Sequence, residues 1–387
     1  MKHLKVMMAG IATMLLTDVA QAQVRGITKD EIIVGATVPL TGNAASIGQG
    51  WSLGARLAVE EVNAKGGIHG RKLKLILEDD GYVPARTVQN VRKMIDVDNV
   101  LAILCLSSSA GTLATIDYIT ETATININTL VMNAKIWEEF RPTTFTIGQG
   151  YPALAGKTAK YINAKNQNTK WGIFVQDDAF GENILTGITE AMKGSNASVV
   201  EVVKYKRGQE DFSAEMSRMK AAGVTAIYSG AVFREHVALT REAKRLGMNV
   251  SFALLFTAHS TLAQNLIGEA GQGALTSDIV TTFDEPNGKA FVALAQKLLP
   301  AKELEVINRD TMTSYAGTSV LIAALEKCGR DATKDCIVTA IENTSDFKTL
   351  AMGPVTFGKG VRFSNQKTRV LMNDFAKKAF TPVSEYE

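Results

Sequence analysis

The sequence predicts an α/β protein built as two doubly wound parallel-sheet lobes joined by a multi-strand hinge. Three observations carry that prediction. Short apolar, β-branched runs alternate with stretches of helical period from Ile32 to beyond Phe252, the rhythm of strand-helix units that cover both faces of a parallel sheet with helices. One run, Val100-Leu101-Ala102-Ile103-Leu104-Cys105-Leu106, is apolar without a break, as a strand buried on both faces must be. At 387 residues, 46% of them hydrophobic, the chain has material for two lobes of ordinary size, and its rhythm is interrupted near Phe145 to Gly150 before it resumes.

Taken in order, Ile32 to Leu40 is a strand that ends at Pro39 and runs into the small, polar loop Thr41 to Gly48. A helix follows from Gly50 to Lys65, with Gly54, Ala58 and Val62 on one face, and the pair Gly66-Gly67 stops it. Lys72 to Glu78 is a strand, Asp79-Asp80-Gly81 a turn, and Pro84 to Ile95 a helix. Turn and capping duty explains the two carboxylates ahead of Gly81 better than a catalytic pair does. After the run Val100 to Leu106, Thr112 to Thr122 is helical and Ala123 to Asn128 is a strand. The second series predicts helices at 153–165, 180–192, 212–222 and 235–246, with strands at 171–175, 199–205, 226–228 and 252–256. Asp278 to Phe283 reads as a connecting strand, then helices follow at 288–299, 313–327 and 335–342, and short strands at 355–357 and 369–374. Because the chain changes lobe more than once without a long linker, the hinge should consist of several short strands.

Charge and special residues narrow the function. Forty-two Lys and Arg against 39 Asp and Glu give a formal charge of +3, with no long basic run, so nucleic acid is not an expected partner. Lys2 and Lys5 precede an apolar core from Val6 to Leu16 and the small-x-small ending Ala20-Gln21-Ala22. That is the form of an export signal cut after Ala22, which places the mature chain in the periplasm. No later run is long enough to span a bilayer. Cys328 and Cys336 flank a polar stretch that can close as a small loop in an oxidising compartment, while Cys105 lies in the apolar strand. His69, His236 and His259 are isolated, so no metal or other cofactor is expected.

The organising feature is the junction after the apolar run. Ser107, Ser108 and Ser109, then Ala110-Gly111, join the strand's carboxyl end to a helix N-terminus. Unpaired N–H groups carry partial positive charge there, and with serine hydroxyls they can hold a carboxylate without a cationic side chain. Any one of the serines can instead act only as the helix N-cap.

Read together, these pieces resemble the periplasmic leucine/isoleucine/valine-binding protein family, the type I periplasmic binding proteins of ABC importers. The carriers are Ile33-Val34-Gly35 with Pro39-Leu40-Thr41-Gly42, Gly54-Ala55-Arg56-Leu57-Ala58, and Glu61 to Ile68 with Gly70. Glu78-Asp79-Asp80, Ser107-Ser108-Ser109, Phe180-Gly181-Glu182 and Asp211-Phe212-Ser213 continue the series. The resemblance implies two lobes that close on a ligand, delivery of that ligand to an inner-membrane permease, and no catalysis. It implies an export signal over residues 1–22, an N-terminal lobe of 23–146 and 278–354, and a C-terminal lobe of 147–277 and 355–387.

By the same resemblance, Ser108 bonds the ligand carboxylate and Ser109 supplies backbone N–H, with Ser107 beside them. Where amino-acid binders carry a threonine, this chain has Met132, with Leu130 and Val131 adjacent. Phe180 is similar to the aromatic that covers the ligand. Phe256, with His259 nearby, stands where the acid that pairs with the ligand ammonium is expected. The carboxylate end of the family's site is kept and its ammonium end is lost. Ile47, Phe180, Phe233 and Phe256 would wall the cleft, although each of the aromatics can equally be core. The expected ligand is a small hydrophobic or aromatic carboxylate, with a branched-chain or aromatic amino acid as the alternative. A sensing receptor domain and an exported enzyme are the other readings. The enzyme would need a phosphate loop, a dinucleotide fingerprint or a nucleophile elbow, and the sequence contains none of these motifs.

Overall fold

The computed structural model describes residues 24–364 and 366–387; the export signal and its cut lie outside them. The first lobe contains β1 (Glu31–Val38), α1 (Ala45–Ala64), β2 (Lys72–Asp79), α2 (Pro84–Asp96), β3 (Ala102–Ile103), α3 (Ser109–Glu121), β4 (Ile125–Asn128), α4 (Lys135–Glu138) and β5 (Thr144–Thr146). The second contains α5 (Tyr151–Lys165), β6 (Lys170–Gln176), α6 (Ala179–Met192), β7 (Ser198–Tyr205), α7 (Ser213–Ala221), β8 (Ala226–Gly230), α8 (Arg234–Arg245), β9 (Ser251–Leu254), α9 (Thr261–Ile267) and β10 (Leu275–Asp278). The chain returns to the first lobe for α10 (Pro286–Leu298), α11 (Arg309–Cys328) and α12 (Lys334–Glu342), and ends on the second with β11 (Arg369–Asp374) and β12 (Ala379–Pro382).

The two sheets share one winding. The first runs β2-β1-β3-β4-β5 and is parallel throughout. The second runs β12-β11-β10-β9-β8-β6-β7, parallel from β7 to β10, with β11 and β12 added antiparallel. Strand order reverses beside β1 in one sheet and beside β6 in the other, and in such sheets ligands bind outside the strands' carboxyl ends at the reversal. Both reversals border the same cleft.

Helix α1 lies so close to α11 that a Cβ on Gly54 would fall 1.9 Å from the Thr311 carbonyl oxygen. Only glycine allows that approach, and Ser314 Oγ, donating to the Trp51 carbonyl at 2.7 Å, uses it. A disulfide joins Cys328 to Cys336, at the end of α11 and the start of α12. Cys105 is a buried free thiol.

Several boundaries differ from those the sequence predicts. Only Ala102–Ile103 is regular strand within the run from Val100 to Leu106, although Leu101 N–H donates to Ile33 and Leu104 N–H to Gly35, extending the pairing. Three-residue β5 lies in the stretch read as patternless, because so short an edge strand shows no period. Residues 355–363 stay with the first lobe instead of joining the second. The Phe357 ring packs edge-on against Phe145 with centroids 5.3 Å apart, and Phe363 bridges Thr146 at the sheet edge. The last crossing therefore lies between Phe363 and Arg369, several residues beyond the expected boundary at 354. The earlier return lies after Asp278, where Val280 bridges Met352.

Candidate functional site

The cleft cavity forms where chain ends from both sheets converge. Ser107, Ser108 and Ser109 line it from the end of β3, Ile47 from α1, Leu130 from beyond β4 and Tyr82 from the turn after β2. The second lobe contributes Phe180 at the start of α6, Val232 after β8, and Phe256 and Thr257 after β9, while Tyr151 stands at the start of α5. They close on about 30 Å³ of free space, about one water's share, so a larger occupant has to be admitted by the walls moving apart.

The three serines divide their work. Ser108 is the N-cap of α3, its Oγ accepting from Gly111 N–H at 3.1 Å. Its own hydroxyl proton is still free to donate. Ser107 Oγ and Ser109 Oγ are buried without a hydrogen-bond partner among the described residues. Orphaned hydroxyls are costly in an apolar wall, and both residues line the cavity beside the first N–H groups of α3. The arrangement suits an acceptor of negative charge.

Opposite the serines the wall is aromatic. The Tyr151 ring meets Phe180 edge-on with centroids 5.0 Å apart and lies nearly parallel to Phe256 at 6.0 Å. Burial pushes the Tyr82 hydroxyl up to about 12 and the Tyr151 hydroxyl higher still, so both stay protonated and can donate at neutral pH. Thr257 is braced from behind by His236, whose nitrogens contact Thr257 Oγ1 and Ser229 Oγ, each at 2.8 Å. Burial holds that imidazole down to about 3. Among the described residues that line the cavity, none is Asp, Glu, Lys, Arg or His.

Behind Phe256 lies a buried ionic hinge. Arg309 Cζ is 4.2 Å from the centre of that ring, and the guanidinium forks onto Asp278 with both bonds at 3.0 Å. His259 Nδ1 contacts the same carboxylate at 2.8 Å. Burial alone would raise the Asp278 carboxyl, but Arg309 and His259 outweigh it and hold it well below the usual carboxylate range. Asp278 ends a strand of the second lobe and Arg309 begins a helix of the first, so the pair ties the lobes at their pivot.

Of the residues singled out from sequence, Ser107, Ser108, Ser109, Ile47, Leu130, Phe180 and Phe256 lie together on the cavity. Met132 and Phe233 do not. Met132 is fully buried and its sulfur packs against Gly148, while its carbonyl accepts from Tyr151 N–H at 2.9 Å. Phe233 faces the core, and its neighbour Val232 takes the wall position. Sequence reasoning missed Tyr82 and Tyr151. Each follows a glycine-bearing turn at a strand's carboxyl end, the one signal available for them. The Asp79-Asp80 pair bonds its own turn, Asp79 accepting from Gly81 N–H and Asp80 from Tyr82 N–H, each at 2.9 Å. Among the described residues no group of three His, Cys, Asp or Glu could hold a metal, and no helix is long and apolar enough to cross a membrane.

A family model described as periplasmic binding protein matches residues 31–372. Among curated proteins, the Leu/Ile/Val-binding protein BraC3 of Rhizobium johnstonii is 27% identical over 354 residues, covering 90% of this chain and 93% of the relative. The Leu/Ile/Val-binding protein of Escherichia coli K12 is 26% identical over 330 residues, with coverage of 84% and 85%. Two solved structures share the fold. A branched-chain amino acid ABC transporter protein of Thermus thermophilus with bound valine has a TM-score of 0.84 at 18% identity, covering 92% of this chain and 97% of its own. A solute-binding protein of R. palustris in complex with 4-hydroxybenzoate has a TM-score of 0.83 at 20% identity, with the same coverage. The chain belongs to the periplasmic leucine/isoleucine/valine-binding protein family, and is a solute-binding protein of the branched-chain amino acid ABC transporter type rather than an enzyme.

Proposed function

We propose that this protein captures a small aromatic or otherwise hydrophobic carboxylic acid by lobe closure in the periplasm and delivers it to an inner-membrane permease. One observation carries the choice of ligand. The cavity offers orphaned hydroxyls and helix N–H groups at one end and rings at the other, with no acidic side chain on its wall. An α-amino acid would have to bury its ammonium without a carboxylate partner, a cost of several kcal/mol. An aryl acid has no such group. Its carboxylate would take the Ser107, Ser108 and Ser109 end, and its ring would stack among Tyr151, Phe180 and Phe256.

The relatives' names favour the alternative, a branched-chain amino acid, and one screen separates the two. In thermal-shift measurements on the mature protein, benzoate and aryl-alkanoates should stabilise more than leucine, isoleucine or valine. A ligand at a hundred times its Kd adds about 2.7 kcal/mol to the folded state, an easily read shift. Saturable stabilisation by leucine with no response to aryl acids would reverse the proposal.

A further inference from the structure

Tyr82 belongs to the first lobe and is gripped by the second. It follows the turn after β2 with φ of +66°, a left-handed conformation that a bulky residue rarely adopts, and Asp80 fixes the turn by accepting its N–H. The turn presents the Tyr82 carbonyl to Arg207, which lies just beyond β7. Arg207 Nη1 donates to that carbonyl at 2.6 Å, and its guanidinium lies 3.9 Å over the Tyr82 ring. Nη2 meets Asp178 Oδ2 at 2.7 Å. The same Asp178 caps α6 by accepting from Phe180 N–H at 2.9 Å.

Contacts within one lobe survive opening and contacts across the cleft do not. Asp178 and Arg207 are both carried by the second lobe, so their ion pair persists when the lobes part, holding the guanidinium in place. The carbonyl bond and the ring contact cross the cleft and exist only when it is closed. A side chain fixed in advance loses little freedom on docking. Tyr82 also lines the ligand cavity, so an occupant that packs on it favours the geometry Arg207 grips.

We propose that Arg207 is a positioning residue that latches the closed lobes on Tyr82 and so couples closure to occupancy of the cavity. The inference deepens the capture-by-closure reading above and rests on it. A ligand shifts an equilibrium only through contacts that differ between its states, and this latch is such a contact, made by a residue that does not line the cavity.

The test compares Arg207→Ala and Lys204→Ala with wild type, using benzoate as probe. Arg207→Ala removes a charge-assisted bond and a cation–π contact, so affinity should fall about tenfold to a hundredfold. The loss should appear as faster dissociation, with association little changed. Lys204→Ala removes a nearby cation whose partner, Glu182, is carried by the same lobe, and affinity should stay within about threefold. Small-angle scattering without ligand should give Arg207→Ala a larger radius of gyration than wild type. Unchanged affinity, an equal loss in both variants, or superimposable ligand-free scattering curves would overturn the latch. Should wild type not bind benzoate at all, the ligand reading falls, and the ligand-free scattering still decides the latch.

Discussion

Replacing Ser107 by alanine should separate ligand capture from fold stability. Its Oγ is buried and has no hydrogen-bond partner among the described residues, so in the ligand-free protein alanine removes an orphaned group and breaks no bond. Stability to urea should be unchanged or higher by up to about 1 kcal/mol. In the complex that hydroxyl would donate to a carboxylate, a bond of about 1.5–3 kcal/mol. At about 1.4 kcal/mol per factor of ten, benzoate affinity should drop roughly tenfold to a hundredfold. Ser108→Ala is the internal comparison. Because Ser108 Oγ accepts from Gly111 N–H at 3.1 Å, its loss uncaps α3 at a cost of about 0.5–2 kcal/mol, and ligand-free stability should fall together with affinity. Titration calorimetry with benzoate and urea unfolding without it read the two quantities independently. The reasoning fails if Ser107→Ala binds benzoate like wild type, or if it loses as much ligand-free stability as Ser108→Ala.

Acid should weaken the fold through His236. Burial holds its folded value down to about 3, against about 6.5 when unfolded, so the unfolded chain binds the extra proton between those limits. Stability tied to keeping the ring neutral is complete above pH ~6.5 and is lost as pH falls toward ~3, at up to about 1.4 kcal/mol per pH unit. Urea midpoints measured at pH 7 and pH 5 should fall less in His236→Gln, and equal falls in the two proteins would remove His236 as the cause. Breaking the disulfide should act on stability alone. Its sequence separation of 8 corresponds to about 2.5 kcal/mol of chain entropy, and it lies at the far end of α11, about 30 Å along the helix from Arg309. Cys336→Ser should therefore lower the urea midpoint while benzoate affinity holds, and a matching loss of affinity would contradict this account.

The winding of the fold was legible in the sequence because each central strand is an apolar run that differs sharply from its flanking helices, and the family motifs fixed the order of the pieces. What escaped prediction was short or aperiodic. Three-residue β5 leaves no alternation to read, and a boundary set by Phe357 packing on Phe145 depends on contacts remote in sequence. Within the site, Ser107, Ser108 and Ser109 are equivalent as letters. The geometry of α3 alone assigns the cap to Ser108 and leaves the other two hydroxyls unpaired. Met132 and Phe233 show the converse limit. An apolar residue near a binding loop faces the cavity or the core according to one turn of backbone, and neither choice alters its hydrophobicity.

Phe256 and Arg309 act as one feature of the site. The guanidinium lies 4.2 Å behind the ring and is pinned by two bonds to Asp278, so its position does not depend on what occupies 256. An acidic side chain at 256 would add a third carboxylate beside a guanidinium already held by Asp278 and by Asp310 at 2.6 Å, and like charge disfavours an ionised acid there. A ring there is well suited, since it presents one face to Arg309 and leaves the other to the cavity. The ionic hinge that joins the lobes therefore disfavours a carboxylate at the very position where an amino-acid binder would place one, which is the physical ground for the proposed ligand without an ammonium.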